Sequence, residues 1–253
     1  MKRLLQVLNI LGYLAVVGVN ALAVLLPINN RTTEELSDMY PNLFVPAGLT
    51  FSIWGIIYIL LLIFTIYQAS DLLGGKKDKS SFVDKAGALY LLTSVLNVAW
   101  ILAWHYEQVL LSVVIMLAFL VTLIALYLRI GTSFASFGER FMAQVPIGVY
   151  LGWIAVATVA NVTALFVKLG WDGFGISGEI WAIIMIIIAA LLAVLMRITK
   201  GEIAYGLVAV WALAGIAIKR LGTEPVVISV AYTAMASAAV VVLSFLVRRG
   251  KKA

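Results

Sequence analysis

The chain has 253 residues, of which 64% are hydrophobic and 12% charged, with a net charge of +6. A water-soluble domain carries about twice that charged fraction, so the composition excludes a polar globular enzyme and implies a polytopic membrane protein. The absence of cysteine removes disulfides, thiolate metal sites and cysteine nucleophiles, and the basic excess reads as attraction to a membrane surface, with no nucleic acid partner expected.

A helix crosses a bilayer with roughly 20 apolar residues, so a chain of this length has room for about eight spans. Hydrophobic runs lie at 5–27, 47–70, 86–104, 108–128, 141–167, 178–196, 202–218 and 225–247. Each is expected to be helical, because backbone in lipid must satisfy its own hydrogen bonds. The first run follows Lys2 and Arg3 and contains Ala21-Leu22-Ala23, the pattern of a signal peptide. It continues to Pro27, however, and is long enough to span, so a retained helix is expected. With the N-terminus cytoplasmic, Lys2, Arg3, Lys76, Lys77, Lys79, Lys85, Arg129, Arg140, Arg197, Lys200, Arg248, Arg249, Lys251 and Lys252 fall inside. Only Arg31, Lys168, Lys219 and Arg220 then fall outside. The positive-inside rule therefore supports eight spans in the cell membrane with both termini cytoplasmic and a basic tail against the leaflet.

The connection at 28–46, INNRTTEELSDMYPNLFVP, carries Glu34, Glu35 and Asp38. It reads either as a lid over an outward-facing cavity or as a solvated loop. The polar stretch at 71–85 reads as a cytoplasmic linker, and no internal repeat is evident. No Asp, Glu, Lys or Arg occupies the centre of a run, which argues against a proton- or ion-coupled pump and leaves facilitated transport open. His105 ends the third run beside Tyr106 and Glu107 and reads as an interfacial histidine, since nothing nearby completes a metal or haem site. No cofactor is expected.

Polar and aromatic residues inside the runs carry the remaining signal. Pro146, Tyr150, Trp153, Ala157 and Asn161 recur at spacings of three and four, which places them on one helical face. Asn97, Trp100 and Trp104 repeat the device in the third run, and Phe51, Trp54 and Tyr58 in the second. An asparagine amide in hydrocarbon needs partners, so these stripes turn inward. Two readings stay open: interhelical packing, supported by the Gly148/Gly152 GxxxG pair, or the wall of a pocket. Trp104 and Trp171 sit near run ends and suit interfacial anchoring. Trp181 and Trp211 belong to no stripe and read as packing or anchor residues.

These residues resemble the TspO/MBR family, the tryptophan-rich sensory proteins related to the mitochondrial translocator protein or peripheral benzodiazepine receptor. The resemblance rests on three motifs in order: Pro46, Phe51, Trp54 and Tyr58 in the second run; Asn97 and Trp100 in the third; Tyr150, Trp153, Ala157, Thr158 and Asn161 in the fifth. It covers roughly residues 1–168. Departures are Val149 where the family usually has proline, the close approach of Phe51 to Trp54, and the lack of the animal sterol motif in NVTALFVK. Leu123, Tyr127 and Arg129 match a sterol pattern only loosely.

The resemblance implies an all-α five-helix bundle over 1–168 with a pocket open toward the first long loop, which binds flat hydrophobic ligands such as porphyrins. The residues at 169–253 add three helices and a basic tail that the five-helix pattern does not cover. The candidate ligand-binding residues are Phe51, Trp54, Tyr58, Asn97, Trp100, Trp104, Tyr150, Trp153, Ala157, Thr158 and Asn161. Indole and phenol rings would stack on a planar macrocycle while amides and hydroxyls orient it. The expected partners are membrane lipid, a porphyrin-like small molecule and a second copy of the chain in a homodimer. Two other functions remain beside a sensory or carrier role. One is light- or oxygen-dependent porphyrin breakdown at Trp54 and Trp153; the other is facilitated transport of a small hydrophobic solute.

Overall fold

A computed structural model of the chain describes residues 2–72, 74–75, 80–132, 134, 136–223 and 227–247. Lys76, Lys77, Lys79, Arg248, Arg249, Lys251 and Lys252, half of the basic residues counted toward the inner side, lie outside the described residues. The elements are α1 (Lys2–Leu25), a short α2 (Thr33–Asp38), α3 (Ile53–Gln68), α4 (Ser80–His105), α5 (Val109–Ile130), α6 (Phe137–Lys168), α7 (Gly178–Lys200), α8 (Ala204–Gly222) and α9 (Ile228–Ser244). Tight 3-10 turns at Ile28–Asn30, Gly48–Ser52 and Gly173–Gly175 complete the described helical structure, and no strand occurs among the described residues. The protein is an all-α membrane protein.

All eight runs are helical, with three differences in extent. Seven helices are long and apolar enough to cross a membrane, one of them counted from Gly48 through Gln68, whereas α9 has 17 residues and is shorter. The 71–85 stretch is not linker throughout, because α4 already begins at Ser80. The first turn of α6 likewise starts ahead of its apolar run, where Ser136 accepts the amide of Glu139 as an N-cap. Pro146 is accommodated inside α6, which continues unbroken to Lys168.

Successive helices run in alternate directions, so the connections gather at two ends. At one end, which we call the loop end, the 28–46 segment meets the connections after α4, α6 and α8. Asn29 donates to the His105 carbonyl (3.1 Å), Lys168 to the Glu107 carbonyl (2.8 Å), and Lys219 pairs with Asp38 (2.6 Å). The 28–46 segment is folded and packed, not a solvated loop. A reciprocal Thr32/Glu35 capping box opens α2, and Leu36, Tyr40, Phe44 and Val45 are buried. Hydrogen bonds from both backbone and side chain of Thr32 hold the exposed Glu35 carboxyl below the usual carboxylate range.

The last three helices join the body through α8. The GxxxG pair of α6 faces this junction: Gly148 meets the Glu202 carboxyl just ahead of α8, and Gly152 receives α8 itself, where a methyl would lie 3.1 Å from the Val208 Cβ and 3.2 Å from the Tyr205 carbonyl. The absence of side chains there permits the close approach. At the far end of α8 the Ala47 amide donates to the Gly215 carbonyl (3.0 Å) and the Trp211 indole to the Thr50 carbonyl (2.9 Å). Trp211 is thus a packing residue that fixes the segment leading into α3.

The mid-span regions carry no charge, but a buried carboxylate closes the end opposite the loop end. Glu202, between α7 and α8, accepts from Tyr127 Oη (2.8 Å), Gln144 Nε2 (2.8 Å) and the Ala204 amide (2.9 Å). The loose sterol pattern therefore has its tyrosine committed to Glu202.

Candidate functional site

The aromatic stripes of α3, α4 and α6 converge, with Trp54 at their centre. Its ring stacks on Tyr58 (5.7 Å between centroids) and Trp100 (6.2 Å) and meets Tyr150 (6.3 Å) and Trp153 (6.2 Å) edge-on. Phe51 packs edge-on against Trp153 at 6.0 Å, Trp104 stacks on Trp100 at 6.4 Å, and Tyr40 from the loop end tilts against Trp104 at 5.8 Å. Such offset and edge geometries are the favourable ones for aromatic pairs.

The amides of the stripes find one another across helices. Asn20 Nδ2 donates to Asn97 Oδ1 (2.7 Å), and Asn97 Nδ2 donates to Tyr150 Oη (2.9 Å), tying α1, α4 and α6 together. Asn161 Oδ1 accepts from the Trp100 indole (3.2 Å) while its Nδ2 donates to Ser112 Oγ (2.9 Å), tying α4, α5 and α6. Thr158 donates to the Ile154 carbonyl within its own helix (2.6 Å). These bonds satisfy groups that would be costly in hydrocarbon. The Trp153 indole N–H is buried without an acceptor.

The space left among these rings is small. A cavity of about 40 Å³ is lined by Phe51, Trp54, Trp100, Trp104, Trp153, Ala157 and Asn161, together with Thr33, Ser37 and Pro46. That is close to the roughly 30 Å³ share of a single water molecule. Tyr58, Asn97 and Tyr150 line no described cavity; their rings and amides are used in packing.

A much larger cavity, about 1070 Å³, opens beside it at the loop end. Segment 37–45 forms one side. Thr158, Val159, Val162 and Thr163 of α6 form the second, and Trp171 and Phe174 of the following connection the third. Trp181, Ala182 and Met185 of α7 with Lys219 and Arg220 of α8 close the remainder. Ser37 belongs to the walls of both cavities, so the two are neighbours, although none of the Trp54-centred rings lines the larger one. Trp171 and Trp181 pack at 5.4 Å, and the Trp181 indole donates to the Gly173 carbonyl (3.0 Å). That bond fits the left-handed φ of +67° at Gly173.

Thr158 is the one candidate residue on the large cavity, and Trp181, read from the sequence as packing, also lines it. No motif marks this wall, since it is assembled from segments far apart in the chain. His105 ends α4 at the loop end, where it is buried within the protein, with Nδ1 bonded to the Ile101 carbonyl at 2.8 Å and Nε2 unpartnered. No group of three or more His, Asp or Glu suited to a metal occurs among the described residues.

A model of the TSPO-like protein family matches residues 6–247. The match runs through α7, α8 and α9 and is not confined to the region that carries the motifs. No curated protein and no solved structure matches the chain.

Proposed function

This chain belongs to the TSPO-like protein family, and from that membership we propose that it is a membrane-embedded binding protein for a flat hydrophobic small molecule of porphyrin or tetrapyrrole size, in a sensory or carrier role. The observation that carries the reading is the apolar cavity of about 1070 Å³ at the loop end. It reaches the top of the range of about 300–1,000 Å³ typical of small-molecule sites. Trp171 and Trp181 contribute aromatic side chains to its wall. In this reading the 28–46 segment is the lid and faces outward, with both termini cytoplasmic as the positive charges favour. The Asn97 and Asn161 amides set the walls and do not hold the ligand, because their bonds already join helices.

Titration of the protein in phosphatidylcholine nanodiscs with protoporphyrin dimethyl ester, followed by ligand absorbance, tests the proposal. Saturable binding is expected, and Val162→Trp, which places an indole inside the cavity away from the Trp54 cluster, is expected to weaken it by about tenfold or more. Unsaturable partitioning equal to that of empty discs would overturn the reading, as would full affinity in Val162→Trp. Liposome flux of the same ligand above an empty-vesicle control would move the assignment to facilitated transport.

A further inference from the structure

The large cavity is lined by a buried arginine that forms no ion pair among the described residues. Arg220, in the last turn of α8, is only 8% exposed, lines the cavity, and its Nε has no hydrogen-bond partner. An arginine keeps its charge under all ordinary conditions, and a buried charge left unpaired is costly, so such groups are normally paired. The carboxylate nearest in effect, Asp38, attracts Arg220 through space but spends its close contact on Lys219 at 2.6 Å. The other acid on the wall, Asp172, accepts the Phe174 amide at 3.0 Å. Ion pairs among the described residues are Lys2–Asp84, Arg31–Glu107 and Lys219–Asp38, and Arg220 is in none of them.

The remainder of the wall is dominated by apolar and aromatic side chains such as Val162, Phe166, Trp171 and Met185. A guest that satisfied both parts would place an apolar body against these residues and an oxyanion on Arg220. We infer that Arg220 is an anion subsite of the cavity, and that the protein selects amphiphiles bearing a carboxylate or phosphate at one end over their neutral counterparts. The inference rests on the cavity assigned above as the ligand site. It adds to that assignment the class of ligand, a charged amphiphile, and the residue that reads the charge. The shared chemistry is an oxyanion on an apolar body, whether it belongs to a free ligand or to a membrane lipid headgroup.

The test compares acid and ester pairs in phosphatidylcholine nanodiscs: protoporphyrin against its dimethyl ester, and palmitate against methyl palmitate. Wild type is expected to prefer the acids by about tenfold or more, the size expected for a charge-assisted hydrogen bond. Arg220→Gln is expected to lose that preference while keeping its ester affinity, which also reports that the variant is folded. Arg220→Lys is expected to keep part of it. Equal affinity for acid and ester in wild type, or an undiminished preference in Arg220→Gln, would overturn the subsite. If only the palmitate pair binds, with the Arg220 dependence intact, the tetrapyrrole reading falls and the anion subsite stands. Binding of neither pair removes both. Discs with added phosphatidylglycerol separate the sources: loss of the acid preference there points to a lipid headgroup, and its persistence to a free ligand.

Discussion

Gly215→Ala is expected to pry α8 away from the segment that leads into α3. A methyl group on Gly215 would lie 2.0 Å from Thr50 Oγ1 and 3.0 Å from the Cβ atoms of Pro46 and Thr50, whereas real contacts below 3.0 Å are essentially unknown. Gly215 also accepts the Ala47 amide (3.0 Å), and the neighbouring Trp211 indole bonds the Thr50 carbonyl (2.9 Å), so backbone on both sides must move. Overpacking of this kind costs about 1–3 kcal/mol, and two weakened hydrogen bonds add about 0.5–1.5 kcal/mol each. The expected loss is therefore about 2–6 kcal/mol, read as reversible unfolding in mixed micelles. A Thr50→Ala background removes the closest clashing atom and is expected to return about 1 kcal/mol or more of the loss. A change within about 0.5 kcal/mol for Gly215→Ala, or no recovery in the double variant, would refute the view that the last three helices are built onto the site.

Three further outcomes follow from the same contacts. Asn161→Leu strands the Trp100 indole and Ser112 hydroxyl that it now satisfies and is expected to cost about 1–2 kcal/mol in thermal unfolding; unchanged stability would contradict the assigned bonds. Glu202→Leu leaves the Tyr127 hydroxyl and the Ala204 amide without their acceptor and Gln144 Nε2 with only Tyr127 Oη; it is expected to cost about 2 kcal/mol or more, with Glu202→Gln milder in the same assay. Hydrogen bonds from Thr32 hold the Glu35 carboxyl below the usual carboxylate range, so its cap is fully formed above that range and is lost as pH falls through the lower, folded value. A spin label at exposed Met39 is expected to loosen only in that acidic window, and at every pH in Thr32→Val; a label insensitive to both would refute the capping box.

The helical runs and the inward aromatic stripes were legible because each is a local pattern: an apolar length sufficient for a bilayer, or aromatic residues at spacings of three and four. Tyr150, Trp153 and Asn161 do lie on one buried face of α6. What the pattern could not give was the identity of each partner. Spacing leaves packing and pocket equally open, and the fold shows the amides of Asn97 and Asn161 bonded between helices. The large cavity was illegible for a related reason. Its walls come from segment 37–45, α6, α7 and α8, which no short window brings together, although the conjunction of Trp171, Phe174 and Trp181 around one glycine-rich turn was a usable signal. Arg220 and Glu202 sat at run ends, where charge is ordinary; their burial depends on neighbours from other helices. The burial of His105 was illegible for the same cause: it lies at a helix end, and Asn29 brings the 28–30 turn over it.

The most direct test of the central claim uses the seven tryptophans as site-resolved reporters. With the chain labelled by 5-fluorotryptophan, saturating protoporphyrin is expected to shift the fluorine resonances of Trp171 and Trp181, which line the large cavity, and to leave that of Trp211, fixed on the Thr50 carbonyl, in place. Shifts confined to Trp211, or none at Trp171 and Trp181 under saturating ligand, would contradict the assignment of the loop-end cavity as the binding site.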